Sequence, residues 1–100
     1  MNTEKPWLLT GLAGTGKSHY AKEILGQPLI VYANDIPDKD YSSVPMEKGI
    51  LIEDLHFKPK TKDILNIIRH YKGKIIITIN RQKNAPSEIK SCCVIKTTGK

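Results

Sequence analysis

The run Gly11-Leu-Ala-Gly-Thr-Gly-Lys-Ser18 constrains this chain more than any other feature of its sequence. It lies between a short apolar segment, Trp7-Leu-Leu-Thr10, and a stretch from Lys17 to Leu25 that reads as a helix stopped by Gly26, with Pro28 beyond. Glycines at 11, 14 and 16 let the backbone curl so that successive N–H groups point inward, where side chains would obstruct an anion. The helix that follows adds its positive end. A Gly, four residues, then Gly-Lys-Ser, set between a strand and a helix, therefore predicts a phosphate cradle. It is built from Gly11, Leu12, Ala13, Gly14, Thr15, Gly16, Lys17 and Ser18, with His19 at the helix start. Lys17 can reach β- and γ-phosphates, and the Ser18 hydroxyl can ligate a magnesium ion bridging them. The bland reading is a Gly-rich turn with a chance Lys-Ser, and the flanking strand and helix weigh against it. The side chains of His19 and Tyr20 are expected to pack or face solvent.

Beyond this loop, strands and helices continue to alternate. Leu29-Ile-Val-Tyr-Ala33 is a β-branched and aromatic second strand, followed by an irregular polar stretch from Asn34 to Lys48. Gly49 introduces a third strand, Ile50-Leu-Ile52, running into Glu53 and Asp54 at its C-terminal end. Thr61 can cap a helix with apolar positions Ile64, Leu65, Ile67, Ile68 and Tyr71, and Gly73 as its stop. Ile75-Ile-Ile-Thr-Ile79 is a fourth strand ending at Asn80, and Cys92 to Thr97 a fifth. Near-continuous apolar strands alternating with helices predict an α/β three-layer sandwich with a parallel sheet of about five strands. A ligand would sit at the C-terminal edge of those strands.

One hundred residues with 39% hydrophobic content make one domain, spanning 1–100. The net charge of +6 favours polyanionic partners, although only Arg69 and Arg81 among the cations can offer a bidentate fork. No apolar run is long enough for a signal peptide or a membrane span, so a cytoplasmic, reducing setting without membrane contact is expected. Adjacent Cys92 and Cys93 cannot close an ordinary disulfide loop and are read as reduced, part-buried strand residues.

In a triphosphatase with such a loop, a carboxylate ending a neighbouring strand holds magnesium, and a second beside it can polarise the attacking water. Glu53 and Asp54 fit those places, with Ser18 as the third candidate metal ligand; alone, the two acids would read as solvated strand-end residues. Asn80 would lie beside the γ-phosphate and orient water if the fourth strand sits between the first and third. Its plainer role is a strand-ending turn residue. Lys17, Asp54 and Asn80 are thus the candidate catalytic residues, with ATP and Mg2+ as the implied cofactors.

With these residues assembled, the chain resembles the AAA+ group of P-loop ATPases, and most of all the small subunits of sliding-clamp loaders. The loop is similar to that family's Walker A, Ile50-Leu-Ile-Glu-Asp54 to its Walker B, and Ile77-Thr-Ile-Asn80 to its sensor-1 strand. Ser91-Cys92-Cys93 stands where clamp loaders carry Ser-Arg-Cys. The stretch Ile52-Glu-Asp-Leu-His-Phe57 is also similar to replication initiators and helicase loaders. Three departures matter. Cys92 replaces the arginine that reaches a neighbouring subunit's ATP, the acid pair is Glu-Asp rather than Asp-Glu, and the family's helical lid would begin about where this chain ends at Lys100. The resemblance implies ATP binding with weak or partner-dependent hydrolysis in DNA replication or remodelling, through a homo-oligomer or a partner protein that supplies an arginine. Lys58, Lys60 and Lys62 form a basic edge for possible DNA contact, or a solvated charge run. A small nucleotide kinase and a non-catalytic nucleotide- or partner-binding module are the alternatives.

Overall fold

The computed structural model describes residues 5–11, 16–33, 35–37, 39–55, 61–80 and 85–97, with side chains for all of these except Asp54 and Leu55. Five strands and three helices follow one another as β1 (Trp7–Thr10), α1 (Lys17–Leu25), β2 (Leu29–Tyr32), β3 (Ile50–Leu55), α2 (Thr61–His70), β4 (Ile75–Ile79), α3 (Ser87–Cys92) and β5 (Val94–Thr97). A single 3-10 turn, Tyr41–Ser43, interrupts the passage from β2 to β3. The strands form one sheet in the order β2-β3-β4-β1-β5, and every neighbouring pair is parallel. The expected α/β sheet of parallel strands is therefore present, with β4 between β1 and β3.

Alternation along the strands divides the core into two layers, because successive side chains point to opposite faces. Leu9, Leu51 and Ile76 pack with Ala21 and Leu25 of α1 on one face. Leu8, Val31, Ile50, Ile52, Ile75, Ile77 and Ile79 pack on the other with Ile64 and Ile67 of α2, Ile89 of α3 and Tyr41. Most of these side chains are fully buried, and each contributes about 1.5–3 kcal/mol relative to exposure. Thr78 is the one polar residue within the β4 run, and it too is buried.

Two turns are held by identifiable contacts. Gly26 ends α1, its N–H donating to the Lys22 carbonyl at 2.8 Å. The buried Tyr71 hydroxyl accepts from the Gly49 N–H at 2.8 Å and lies 2.9 Å from the Pro45 carbonyl oxygen as a donor, so the end of α2 staples the turn that starts β3. Gly73 is required there by closeness of approach, since a Cβ would collide with the Met46 carbonyl and the Tyr71 ring.

The structure corrects the sequence reading at two places. The Ser87–Cys92 segment is helical, so Cys92 ends α3 and Cys93 caps it, and the last strand begins at Val94. Ile89 is drawn into the core beside α2, and the Ser91 hydroxyl and Cys92 thiol both turn back to the Glu88 carbonyl, at 2.9 and 3.3 Å. Second, β3 runs on beyond Ile52, where the apolar run ends, to Leu55, with Glu53 and Asp54 in its C-terminal half. Its register against β4 shifts between Ile52 and Leu55, the kind of irregularity that re-aims side chains next to a site. Among the described residues no helix is long and apolar enough to cross a membrane.

Candidate functional site at the C-terminal edge of the sheet

Parallel pairing brings the C-terminal ends of β1, β4 and β3 side by side. Thr10 is level with Ile79, so Gly11 and Asn80 leave the sheet together, and Glu53 of β3 is level with Tyr32 at the end of β2. α1 starts above these ends. Gly16, immediately before it, has φ +80°, a left-handed conformation that glycine adopts without the strain a side chain would bring. Gly16 offers no capping side chain and the first turn of α1 holds no acidic residue, so no carboxylate of that turn offsets the positive helix end.

Consecutive residues of that first turn reach two different strands. Lys17 Nζ donates to Asn80 Oδ1 at 2.9 Å, tying α1 to the end of β4. The Ser18 hydroxyl donates to Glu53 Oε1, tying it to β3. Glu53 is 8% exposed, so burying its carboxylate is compensated by this charge-assisted hydrogen bond. Four of the residues singled out from sequence, separated by up to 63 positions, thus converge on one patch.

Ser18 and Glu53 present two oxygen donors to one point, which is the donor chemistry of a hard cation. Magnesium characteristically takes one or two carboxylates and completes its shell with water and substrate phosphates, so this pair fits a magnesium held jointly by protein and triphosphate. Among the described residues there is no cluster of three or more His, Cys, Asp or Glu that would make an all-protein cage.

Other candidates are placed differently. The His19 imidazole lies 3.2 Å from the Glu23 carboxylate one turn along the exposed face of α1, turned away from Asn80 and Glu53. Leu12, Ala13, Gly14 and Thr15 lie outside the described residues, as do Lys58, Lys60 and Arg81; Asp54 is described in its backbone alone. Lys62 is exposed in the first turn of α2. Arg69 is in the last turn of α2, at the opposite edge of the sheet from Gly11 and Gly16 of its own chain. A groove of about 280 Å³, lined by Ile36, Pro37, Lys39, Tyr41, Asp63 and Asn66, lies on the α2 face and shares none of the site residues.

Sequence reading missed a second polar contact at this edge. Thr10 Oγ1 is 3.1 Å from Thr97 Oγ1 and 3.3 Å from the Lys96 carbonyl oxygen, joining the ends of β1 and β5. Only the pairing of these strands brings the two threonines together. Comparison with protein-family models and with curated proteins finds no match to this chain.

Proposed function

We propose that this chain is a P-loop nucleoside triphosphatase of the AAA+ kind, binding ATP with magnesium at the C-terminal edge of its sheet and hydrolysing it slowly. The observation that carries this reading is the convergence of Lys17 with Asn80 and of Ser18 with Glu53, made possible by β4 lying between β1 and β3. In this reading the triphosphate takes the place of the contacts the four side chains make with one another. Lys17 would turn from the Asn80 amide to the β- and γ-phosphates, and the Ser18 hydroxyl and Glu53 carboxylate would hold magnesium, which would supply charge neutralisation there. Asn80, released by Lys17, is free to orient the water that attacks the γ-phosphate, with Asp54 as the candidate to polarise it.

Slow turnover follows from the arginine supply. An arginine finger is worth on the order of 10³–10⁵ in rate, and Cys92, at the position where the resemblance places that arginine, donates its thiol to its own helix. A partner protein, or Arg69 or Arg81 of a second copy, would have to supply it. A role in DNA replication or remodelling rests on the family resemblance, with Lys62 as the described member of the basic run.

The test is a calorimetric titration of ATP, ADP and GTP with and without magnesium, followed by product analysis. Magnesium-dependent ATP binding and slow release of free phosphate are expected. Phosphate appearing on a nucleoside or nucleoside monophosphate would replace the hydrolase with a kinase. No nucleotide binding at millimolar concentration would refute the reading and leave a partner-binding module.

A further inference from the structure

A parallel sheet has two chemically different edges, and the edge where its strands begin is lined by cations. Lys5 precedes β1, Lys48 precedes β3, and Lys72 and Lys74 flank Gly73 before β4. Among the described residues, Glu47 is the only carboxylate in the three positions before a strand start. Lys22 and Arg69 in the last turns of α1 and α2 reach the same edge, where the negative helix ends account for them. The four lysines in the turns have no such explanation.

The only tryptophan of the chain lies in this cluster. Trp7 opens β1 and is half-buried, with Lys74 Nζ 5.4 Å and Lys96 Nζ 4.9 Å from its ring centroid. Trp7 pairs with Val94 and Leu9 with Lys96, so Trp7, Val94 and Lys96 share one face of the β1–β5 corner. α1 packs on that face mainly across β3 and β4, and Val94 at the corner is 39% exposed. An aromatic ring with ammonium groups about it, on an otherwise basic edge, is the pairing that binds single strands: bases stack on the ring while cations track the phosphates. Isolated solvated lysines would not need a tryptophan among them.

We infer that the N-terminal edge of the sheet, centred on Trp7, Lys72 and Lys74, with the Lys96 ammonium reaching the indole from the flank of β5, is a binding surface for a single-stranded polynucleotide. A base stacks on the indole in place of one ammonium, which moves to the adjoining phosphate. Lys5, Lys48 and Lys72 extend the track along the strand starts. The strand starts lie at the opposite end of the sheet from Gly11 and Gly16, so strand and nucleotide can be held together, and the inference stands whether or not ATP is hydrolysed.

The full chain is titrated at low salt with oligo(dT) and oligo(U) of about 20 nucleotides, with duplex DNA and with dextran sulfate, reading Trp7 fluorescence and the anisotropy of labelled strands. Single strands are expected to quench Trp7 and to bind at least about tenfold more tightly than duplex, with the DNA and RNA arms showing which sugar is preferred. Lys72→Glu/Lys74→Glu is expected to weaken strand binding at least tenfold and to lower the salt slope by about 1.4, from roughly 0.7 per lost phosphate contact. Trp7→Leu should lose about tenfold by anisotropy, whereas Lys39→Glu, at an exposed position on the α2 face, should leave strand affinity unchanged. Should the lysine pair prove hard to fold, Lys5→Glu/Lys48→Glu applies the same test in surface turns. The inference is overturned if dextran sulfate or duplex binds as tightly as single strands without quenching Trp7, if Lys39→Glu removes binding and Lys72→Glu/Lys74→Glu does not, or if no strand binds. A parallel ATP titration on each variant reports the phosphate loop separately, so failure of either site is visible on its own.

Discussion

The two edges of the sheet are made from the same five strands and carry opposite chemistry. At the C-terminal edge, an ammonium meets an amide and a hydroxyl meets a carboxylate, through Lys17 with Asn80 and Ser18 with Glu53. At the N-terminal edge, lysines gather in the turns, and the buried anchor is a neutral one, the Tyr71 hydroxyl bonded to the Gly49 N–H. The difference follows from polarity. Parallel strands put all chain exits on one side, where helix N-termini favour anions, and all entries on the other, where helix C-termini favour cations. This polarity is what the two proposals draw on, a triphosphate at one edge and an extended polyanion at the other.

The sharpest way to break this division is Lys17→Ala. It is expected to weaken magnesium-ATP binding by at least about 100-fold while leaving circular dichroism and strand binding at the opposite edge unchanged. Loss of both activities together would mean that the edges are not independent. Glu53→Gln keeps the shape of the carboxylate but removes its charge. It should lower the magnesium dependence of ATP binding by roughly tenfold or more, measured by titration across magnesium concentrations.

Tyr71→Phe addresses the other edge. It leaves the Gly49 N–H without its hydroxyl partner and is expected to cost about 1–2 kcal/mol in urea unfolding, with ATP affinity unaltered. An ATP affinity that fell with stability would show that the turn before β3 transmits to Glu53.

The smallest effect concerns Cys93, whose thiol is pushed up to about 12, chiefly by burial and then by the neighbouring Cys92. Because the folded state favours the neutral thiol, this contribution is intact below the ordinary thiol pKa of about 8.5 and is lost as pH rises toward 12. In Cys92→Ser, Cys93 should alkylate at pH 8.5 about tenfold more slowly than in the same chain in denaturant, as followed by mass spectrometry.

Much of this architecture is legible in the chain itself. Ile75–Ile79 is buried throughout and was readable as a strand because an uninterrupted β-branched run suits a sheet covered on both faces. Helix α1 is equally plain between Gly16 and Gly26. The last helix was not, because Ser87–Cys92 is too short for a helical period to register and the Cys92-Cys93 pair at its end resembles strand residues; burial of Ile89 against α2 decides it. At the site, Lys17, Ser18, Glu53 and Asn80 could each be nominated from local pattern. That Lys17 meets Asn80 and Ser18 meets Glu53, rather than the reverse, depends on strand order.

Local chemistry in the sequence determined the elements themselves: the glycines that admit a tight loop, the apolar runs that must be covered, and the polar residues at strand ends. Which of those ends become neighbours was left to the tertiary structure. Placing β4 between β1 and β3, and β5 beside β1, is what assembles the polar cluster at one edge and sets Trp7 against Lys74 and Lys96 at the other. The reason is that side-chain periodicity encodes which face of a strand is buried, whereas the order of strands is chosen by long-range packing among elements whose local patterns are nearly interchangeable.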